Sequence, residues 1–299
     1  MRGQPSKTSD WTVVRMLEWA TEYFKSRDVP SPRLSIEWLL SHVLNAKRLD
    51  LYLQFDRPLT RDELDMLKPL VLRRAEHEPL QYIIGQTDFY NLTIRVTPDV
   101  LIPRPETEQL VERILADHSG EEPLRFLDIG TGSGCMALAV KKVRPMWEVT
   151  AIDISEEALR VAAQNARDHK LDIRFHLASF EDYNPVLKQD IIASNPPYIG
   201  PEDSGELPHE VSAYEPALAL LASDVEDVYR KLTEFCRNHL APGGSFYFEI
   251  NEKHGDNLLL LCNSAPYKSC LLKDWSGKDR FIVGKMEDWG PNILPARDL

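Results

Sequence analysis

Through the first 80 residues the apolar positions recur at helical spacing. Val13, Val14, Leu17, Trp19, Ala20, Tyr23 and Phe24 trace one face of a helix. Val29-Pro30-Ser31-Pro32 breaks that pattern, and Ser31 or Ser35 can cap a second helix with Ile36, Leu39, Leu40, Val43 and Leu44 on its apolar side. Thr60-Arg61-Asp62-Glu63 has the form of a capping box and opens a helix through Leu64, Leu67, Leu70, Val71 and Ala75. Pro69 inside it predicts a kink or a restart. The pattern predicts a helical domain of four or five helices over residues 1–79.

After Pro79 the period changes. Tyr82, Ile83 and Ile84, then Phe89-Tyr90, then alternating Leu92, Ile94 and Val96 predict a hairpin or two short strands over residues 80–102, linking two domains. Pro98, Pro103 and Pro105 punctuate the exit. Over residues 103–287 short apolar runs alternate with amphipathic ones. Strands are predicted at 125–129, 148–152, 173–177, 190–194, 245–250 and 280–285. Helices are predicted at 135–143, 156–169, 225–240 and 255–264. Such alternation predicts a parallel, doubly wound α/β sheet. Residues 288–299 read as a tail with little core to hold it.

Charge changes the picture of what this body can bind. The net charge is −12, and residues 81–299 carry 22 Lys/Arg against 35 Asp/Glu. Affinity for nucleic acid comes largely from cations neutralising phosphates, so stable nucleic-acid binding is not expected. Cys135, Cys236, Cys262 and Cys270 form no C-x-x-C pair and read as small buried hydrophobes. His176, His209 and His254 fall at no metal-ligating spacing, and no metal is expected. Residues 1–12 have no apolar leader core, and apolar runs such as 258–262 are too short to span a bilayer. A cytoplasmic protein without membrane contact is the expectation.

The candidate chemistry sits at strand ends. Phe126-Leu127-Asp128-Ile129 runs into Gly130-Thr131-Gly132-Ser133-Gly134. Ligands of open α/β sheets bind beyond the carboxyl ends of the strands. Position 135 is Cys, so the dinucleotide G-x-G-x-x-G fingerprint is absent and a cofactor without pyrophosphate fits better. A tight turn with no ligand is the plain alternative. Asp153 ends the next strand about 20 residues on, where an acid can accept from both hydroxyls of a ribose. Ser155 is the better cap for the following helix, which leaves Asp153 freer for a ligand.

Asn195-Pro196-Pro197-Tyr198 follows the strand at 190–194. Two prolines stiffen the loop. The Asn195 side-chain oxygen and the Pro196 carbonyl are two acceptors at one point, which suits an NH₂ group, and Tyr198 offers a flat face to a planar group. A proline-rich turn that merely ends a strand is the alternative. Arg104 and Glu106 can cover a ligand or fix the linker, and Phe89 reads as hairpin core.

With these stretches in hand, the chain resembles the HemK/PrmC family, the protein-(glutamine-N5) methyltransferases of peptide chain release factors. The resemblance runs from the helical region to about Lys285. It is carried by Pro79 to Gly85, Phe89-Tyr90, Leu101-Ile102-Pro103-Arg104-Pro105-Glu106-Thr107-Glu108, the glycine loop, Asn195 to Tyr198, and Tyr214-Glu215-Pro216-Ala217-Leu218-Ala219-Leu220. It implies a Rossmann-like methyltransferase domain with a mostly parallel seven-stranded sheet, a small N-terminal helical domain and a β-hairpin linker. It implies S-adenosyl-L-methionine as cofactor, held by Gly130, Thr131, Gly132, Ser133, Gly134, Asp153, Phe180 and Asn195, with S-adenosyl-L-homocysteine as product. It further implies that Asn195, Pro196, Pro197 and Tyr198 bind the glutamine of a Gly-Gly-Gln motif, with Asn195, Pro196 and Tyr198 catalytic. The family's acid before the aromatic of the adenine contact is absent at that position: Ser179 precedes Phe180, or Glu181 or Asp182 serves from a shifted loop. The helical domain is expected to dock the release factor.

An adenine-N6 methyltransferase of DNA or RNA is the competing reading, because an exocyclic amine presents the same two donors. It needs a flipped or single-stranded base, and the acidic catalytic half weighs against it. A catalytically silent cofactor-binding scaffold is the third, disfavoured by the intact Asn195 to Tyr198.

Overall fold

The computed structural model describes residues 11–263 and 266–286. The expectations for residues 1–10 and for the tail at 288–299 lie outside these. The chain divides into two compact units. One runs up to Gly85 and takes in Pro208–Tyr214, and the other comprises Gln86–Leu207 and the chain from Glu215.

The first unit is helical: α1 (Val13–Lys25), α2 (Pro32–Leu44), α3 (Arg48–Leu53), α4 (Arg61–Ala75) and α5 (Leu80–Ile84). Val13, Leu17, Phe24, Ile36, Leu39, Leu40 and Leu67 share one core, as the helical spacing predicts. The capping box at Thr60 and Glu63 is present. Helix α4 is continuous across Pro69 rather than restarted. Ser31 makes no side-chain cap, and Ser35 lies within α2, where its hydroxyl accepts from Arg74 Nε at 3.1 Å. Arg74 is buried and also donates to the carbonyls of Glu78 and Pro30. Its Nη1 lies 2.7 Å from Glu210 Oε1 within Pro208–Tyr214. A buried guanidinium with each arm engaged ties these segments together.

Residues 80–84 form a helical turn, not a strand. Pro79 precedes it, and Gly85, at φ 83°, closes it in the left-handed conformation that glycine tolerates. The hairpin is confined to β1 (Gln86–Phe89) and β2 (Leu92–Arg95), with Phe89 buried. It belongs to the second unit. Asn165 clamps it there, accepting from Arg95 N–H and donating to the Arg95 carbonyl.

The second unit continues as α6 (Pro105–Asp117), β3 (Arg125–Ile129), α7 (Cys135–Val143), β4 (Glu148–Asp153), α8 (Glu156–His169), β5 (Arg174–Leu177) and β6 (Gln189–Ser194). Helix α9 (His209–Tyr214) is grouped with the first unit. Then follow α10 (Ala217–Leu220), α11 (Val225–His239), β7 (Leu240–Glu249), α12 (Gly255–Cys262), β8 (Tyr267–Lys273) and β9 (Asp279–Met286). Helix α6 was hidden in what read as proline punctuation. Pro105 in its first turn, with Glu106 and Glu108 beside it, is a helix start.

The sheet order is β5-β4-β3-β6-β7-β9-β8. Five strands are parallel, and β9 runs antiparallel to both β7 and β8. The expected mostly parallel, seven-stranded sheet is thus present, with β9 as its antiparallel strand. The turn between β8 and β9 is too short for a crossover, so they form a hairpin. Asp274 holds that turn by accepting from Ser276 and Lys278 N–H. Strand β8 escaped notice because it lies at the sheet edge with an irregular burial pattern.

Gly284 on β9 pairs with Phe246 on β7. A Cβ at Gly284 would stand 2.1 Å from Phe246 Cζ and 2.8 Å from Ser269 Oγ. Phe246 is buried and stacked 4.6 Å from Phe248, so it has little room to yield. Gly284→Ala is expected to cost about 1–3 kcal/mol and to lower Tm by about 3–10 °C, read by thermal unfolding. An unchanged Tm would show that the sheet absorbs the methyl group.

Candidate active site

The strand order reverses between β3 and β6, the position where open sheets open a crevice. Register makes three carboxyl ends level there. Ile129 on β3 pairs with Ile152 on β4 and with Ser194 on β6. The next residues are Gly130, Asp153 and Asn195, so three separate motifs emerge side by side. They border a cavity of about 630 Å³, within the usual range for a small-molecule site.

The glycine loop leaves β3 with Gly130 and Thr131 N–H both donating to the Ile152 carbonyl. Gly134 is required twice over. Its φ is 81°, and a Cβ there would meet Leu138 Cδ1 at 2.9 Å and Ala162 Cβ at 3.0 Å. At Gly130 and Gly132 the same atom would meet nothing within 4 Å. Asn165, buried on α8, donates to the Ser133 carbonyl at 2.9 Å, so the helix that clamps the hairpin also props the loop.

Asp128 is fully buried, and its Oδ2 accepts from Thr131 Oγ1 at 2.6 Å. Burial pushes its carboxyl up to about 7 against the pull of that hydroxyl. Its Oδ1 and the Ser133 hydroxyl are buried with no hydrogen-bond partner among the described residues. Unpaired polar atoms at the wall of a cavity suit a polar ligand end such as the amino acid part of S-adenosyl-L-methionine. The adenosine side fits as well. Asp153 accepts Gly132 N–H on Oδ2 at 2.9 Å and Ser155 N–H on Oδ1 at 2.9 Å. Burial raises its pKa, opposed by those N–H groups. The carboxylate is therefore already engaged, contrary to the expectation that capping by Ser155 leaves it free, although Ser155 does cap α8. Each oxygen keeps a second lone pair for a ribose hydroxyl. Phe180 lines the cavity and meets Phe235 edge-on at 6.1 Å.

Asn195, Pro196 and Pro197 line the cavity, together with Thr131, Ser133 and the other loop positions up to Ser133. Gly134 and Tyr198 are not in its lining. The Tyr198 hydroxyl is instead tied back, donating to Glu249 Oε1 at 3.2 Å. Burial and the neighbouring Glu249 both raise its pKa, so it stays a neutral phenol. The Asn195 amide nitrogen donates to Thr107 Oγ1 at 3.1 Å, which leaves its oxygen as the acceptor for a ligand. The stretch around Pro103 and Arg104, which also lines the cavity, is pinned by Glu215. Its buried carboxylate accepts Ile102 N–H at 3.1 Å and pairs with Arg104 at 2.6 Å. Arg104 therefore fixes the loop rather than standing free.

Sequence reading missed Thr107, Asn165 and Glu249 as site residues. Glu249 did carry a signal, a lone acid closing the apolar run Phe246-Tyr247-Phe248 at a strand's carboxyl end. Asn165 carried none, since one Asn on an amphipathic helix is ordinary.

Two family models match the chain. A PrmC N-terminal domain matches residues 15–85, and a methyltransferase domain matches residues 121–281. A "Release factor glutamine methyltransferase" of Rhodopirellula baltica is 37% identical over 289 residues, covering 93% of this chain and 98% of the relative. Proteins of the same description from Geobacter sulfurreducens and Streptococcus pneumoniae are 38% and 44% identical, covering 94% and 75% of this chain and 99% and 81% of their own lengths.

Proposed function

Because the chain belongs to the release factor glutamine methyltransferases, we propose that it methylates the side-chain amide nitrogen of the glutamine in a release factor's Gly-Gly-Gln motif. The methyl donor is S-adenosyl-L-methionine and the other product S-adenosyl-L-homocysteine. Bound in the cavity, this cofactor supplies an electrophilic methyl group.

The observation that carries the site assignment is the levelled register. Ile129 opposite Ser194 brings the glycine loop and Asn195 to one edge. An amide nitrogen is a poor nucleophile because its lone pair is delocalised. Asn195 Oδ1 and the Pro196 carbonyl accept its two N–H groups, turn the nitrogen toward the methyl group and favour the less delocalised form reached in the transition state. The surplus proton of the methylated nitrogen leaves along one of those two hydrogen bonds to solvent water. Asp128 and Ser133 would hold the amino acid end of the cofactor, Asp153 its ribose and Phe180 its adenine. Ser179, whose hydroxyl accepts Glu181 N–H, and Glu181 itself line the cavity where the exocyclic amine would lie. Pro197 stiffens the loop, and Tyr198 anchors it through Glu249. The helical unit docks the body of the release factor.

The test is mass spectrometry of a release factor, and of a short Gly-Gly-Gln peptide, after incubation with enzyme and cofactor. One added methyl group on the glutamine is expected, formed at a lower KM on the intact factor than on the peptide. Methylated adenine in a parallel DNA or RNA incubation, with an unmodified factor, would reverse the assignment.

A further inference from the structure

We propose that Thr107 and Glu249 are positioning residues that fix which end of the Asn195 amide faces the substrate. The chain of hydrogen bonds has one direction. Asn195 Nδ2 donates to Thr107 Oγ1 at 3.1 Å, and Thr107 Oγ1 donates to Glu249 Oε2 at 2.7 Å. Tyr198 donates to the other oxygen, Oε1, at 3.2 Å. A threonine hydroxyl has a single proton. Once that proton is spent on a carboxylate, the hydroxyl can only accept from Asn195. The amide is then locked with nitrogen inward and oxygen outward, the polarity that an incoming NH₂ group requires. An amide free to flip would present a donor to a donor.

Glu249 is suited to the role because it accepts at both oxygens and is fully buried. Its main-chain carbonyl accepts from Tyr229 on α11 at 2.6 Å, which fixes the strand end. Thr107 is also buried, held on α6. The same two side chains thus connect Asn195 and Tyr198, the two ends of the loop, through one carboxylate.

The arrangement makes activity sensitive to protonation of Glu249. Burial, the largest influence, pushes its carboxyl up to about 7. The charged and titratable groups facing it are Arg280 on β9, Glu106 on α6, Tyr198, Tyr229 and Cys135 at the start of α7. Arg280 favours the carboxylate but is shared with Asp274 and Glu252. A protonated Glu249 must donate from one oxygen. If that proton points at Thr107, the threonine hydroxyl is released to donate to Asn195, and the amide oxygen turns inward.

This inference rests on the reading that Asn195 holds the accepting amide, so Asn195→Ala is measured beside the variants. With a release factor and saturating S-adenosyl-L-methionine, Glu249→Gln and Thr107→Val are expected to lower kcat about 30- to 100-fold, the scale of a misplaced reacting group. Their cofactor dissociation constants, read by calorimetry, should stay within about threefold, on the same reasoning that only orientation is lost. Thr107→Ser, which keeps the hydroxyl, should recover kcat to within about threefold of wild type. The wild-type kcat should fall as pH drops below about 7, and both impaired variants should lack that limb. An impaired Asn195→Ala beside Glu249→Gln and Thr107→Val of wild-type rate and pH profile overturns this inference alone. A wild-type Asn195→Ala overturns the reading and the inference together. If Glu249→Gln unfolds, Thr107→Val and its serine rescue decide the matter.

Discussion

Asn195→Ala is expected to lower kcat about 10²- to 10³-fold, the scale seen when one preorganised hydrogen-bonding group is removed from a transition-state site. Two features make the expected loss this large. The amide oxygen is one of the two acceptors assigned to the amide NH₂, the Pro196 carbonyl being the other. Its orientation is also prepaid, because the amide nitrogen is held by the buried Thr107. Alanine leaves the accepting amide free to rotate and to keep its delocalised form. The cofactor's dissociation constant should rise less than about tenfold, since the glycine loop and Asp153 are held by contacts that do not involve Asn195. Single-turnover kinetics with a release factor, paired with calorimetric titration of the cofactor, separates the two effects. A kcat within about threefold of wild type would sink the assignment of Asn195 as the group that holds the nitrogen.

The second large effect is expected on binding. Asp153→Ala should raise the dissociation constant of S-adenosyl-L-methionine about 100-fold, which corresponds to about 3 kcal/mol. Hydrogen bonds to a charged acceptor contribute about 1.5–3 kcal/mol each, and a ribose offers two hydroxyls. The carboxylate has a further task, because it accepts Gly132 N–H and so shapes the glycine loop itself. Asp153→Asn tests whether the side chain's shape suffices without both of its acceptors. It keeps the shape but turns one acceptor into a donor facing Gly132 or Ser155 N–H, so its affinity should fall nearly as far as that of the alanine variant. At saturating cofactor both variants should retain most of kcat. An affinity within threefold of wild type for the alanine variant would remove Asp153 from the cofactor site.

These two residues were legible in the sequence for different reasons. Asp153 stands at a fixed distance beyond a glycine loop, and Asn195 begins a proline-stiffened stretch at a strand end; both are local patterns in one dimension. What was not legible is how they are held. Thr107 lies 88 positions from Asn195 and 142 from Glu249 along the chain, yet the three form one hydrogen-bonded series. No spacing rule connects them. The same holds for Asn165, which reaches Arg95 across 70 positions and Ser133 across 32. Helix α6 was concealed by its own prolines, and the helical turn at residues 80–84 by β-like side chains between a proline and a glycine cap.

By itself the sequence determined the helical first unit, the alternation of strands and helices, the glycine loop, Asp153 and the Asn195 to Tyr198 loop. Each depends on side-chain periodicity or on backbone chemistry within a few residues, and such short-range information survives in a linear string. Only the tertiary structure decided that β9 runs antiparallel, that the hairpin is clamped to α8, and that Ile129 and Ser194 end level. It alone also showed Tyr198 turned back onto Glu249. Those outcomes depend on strand register and on which buried polar groups find partners, and both are settled by packing between segments far apart in the chain.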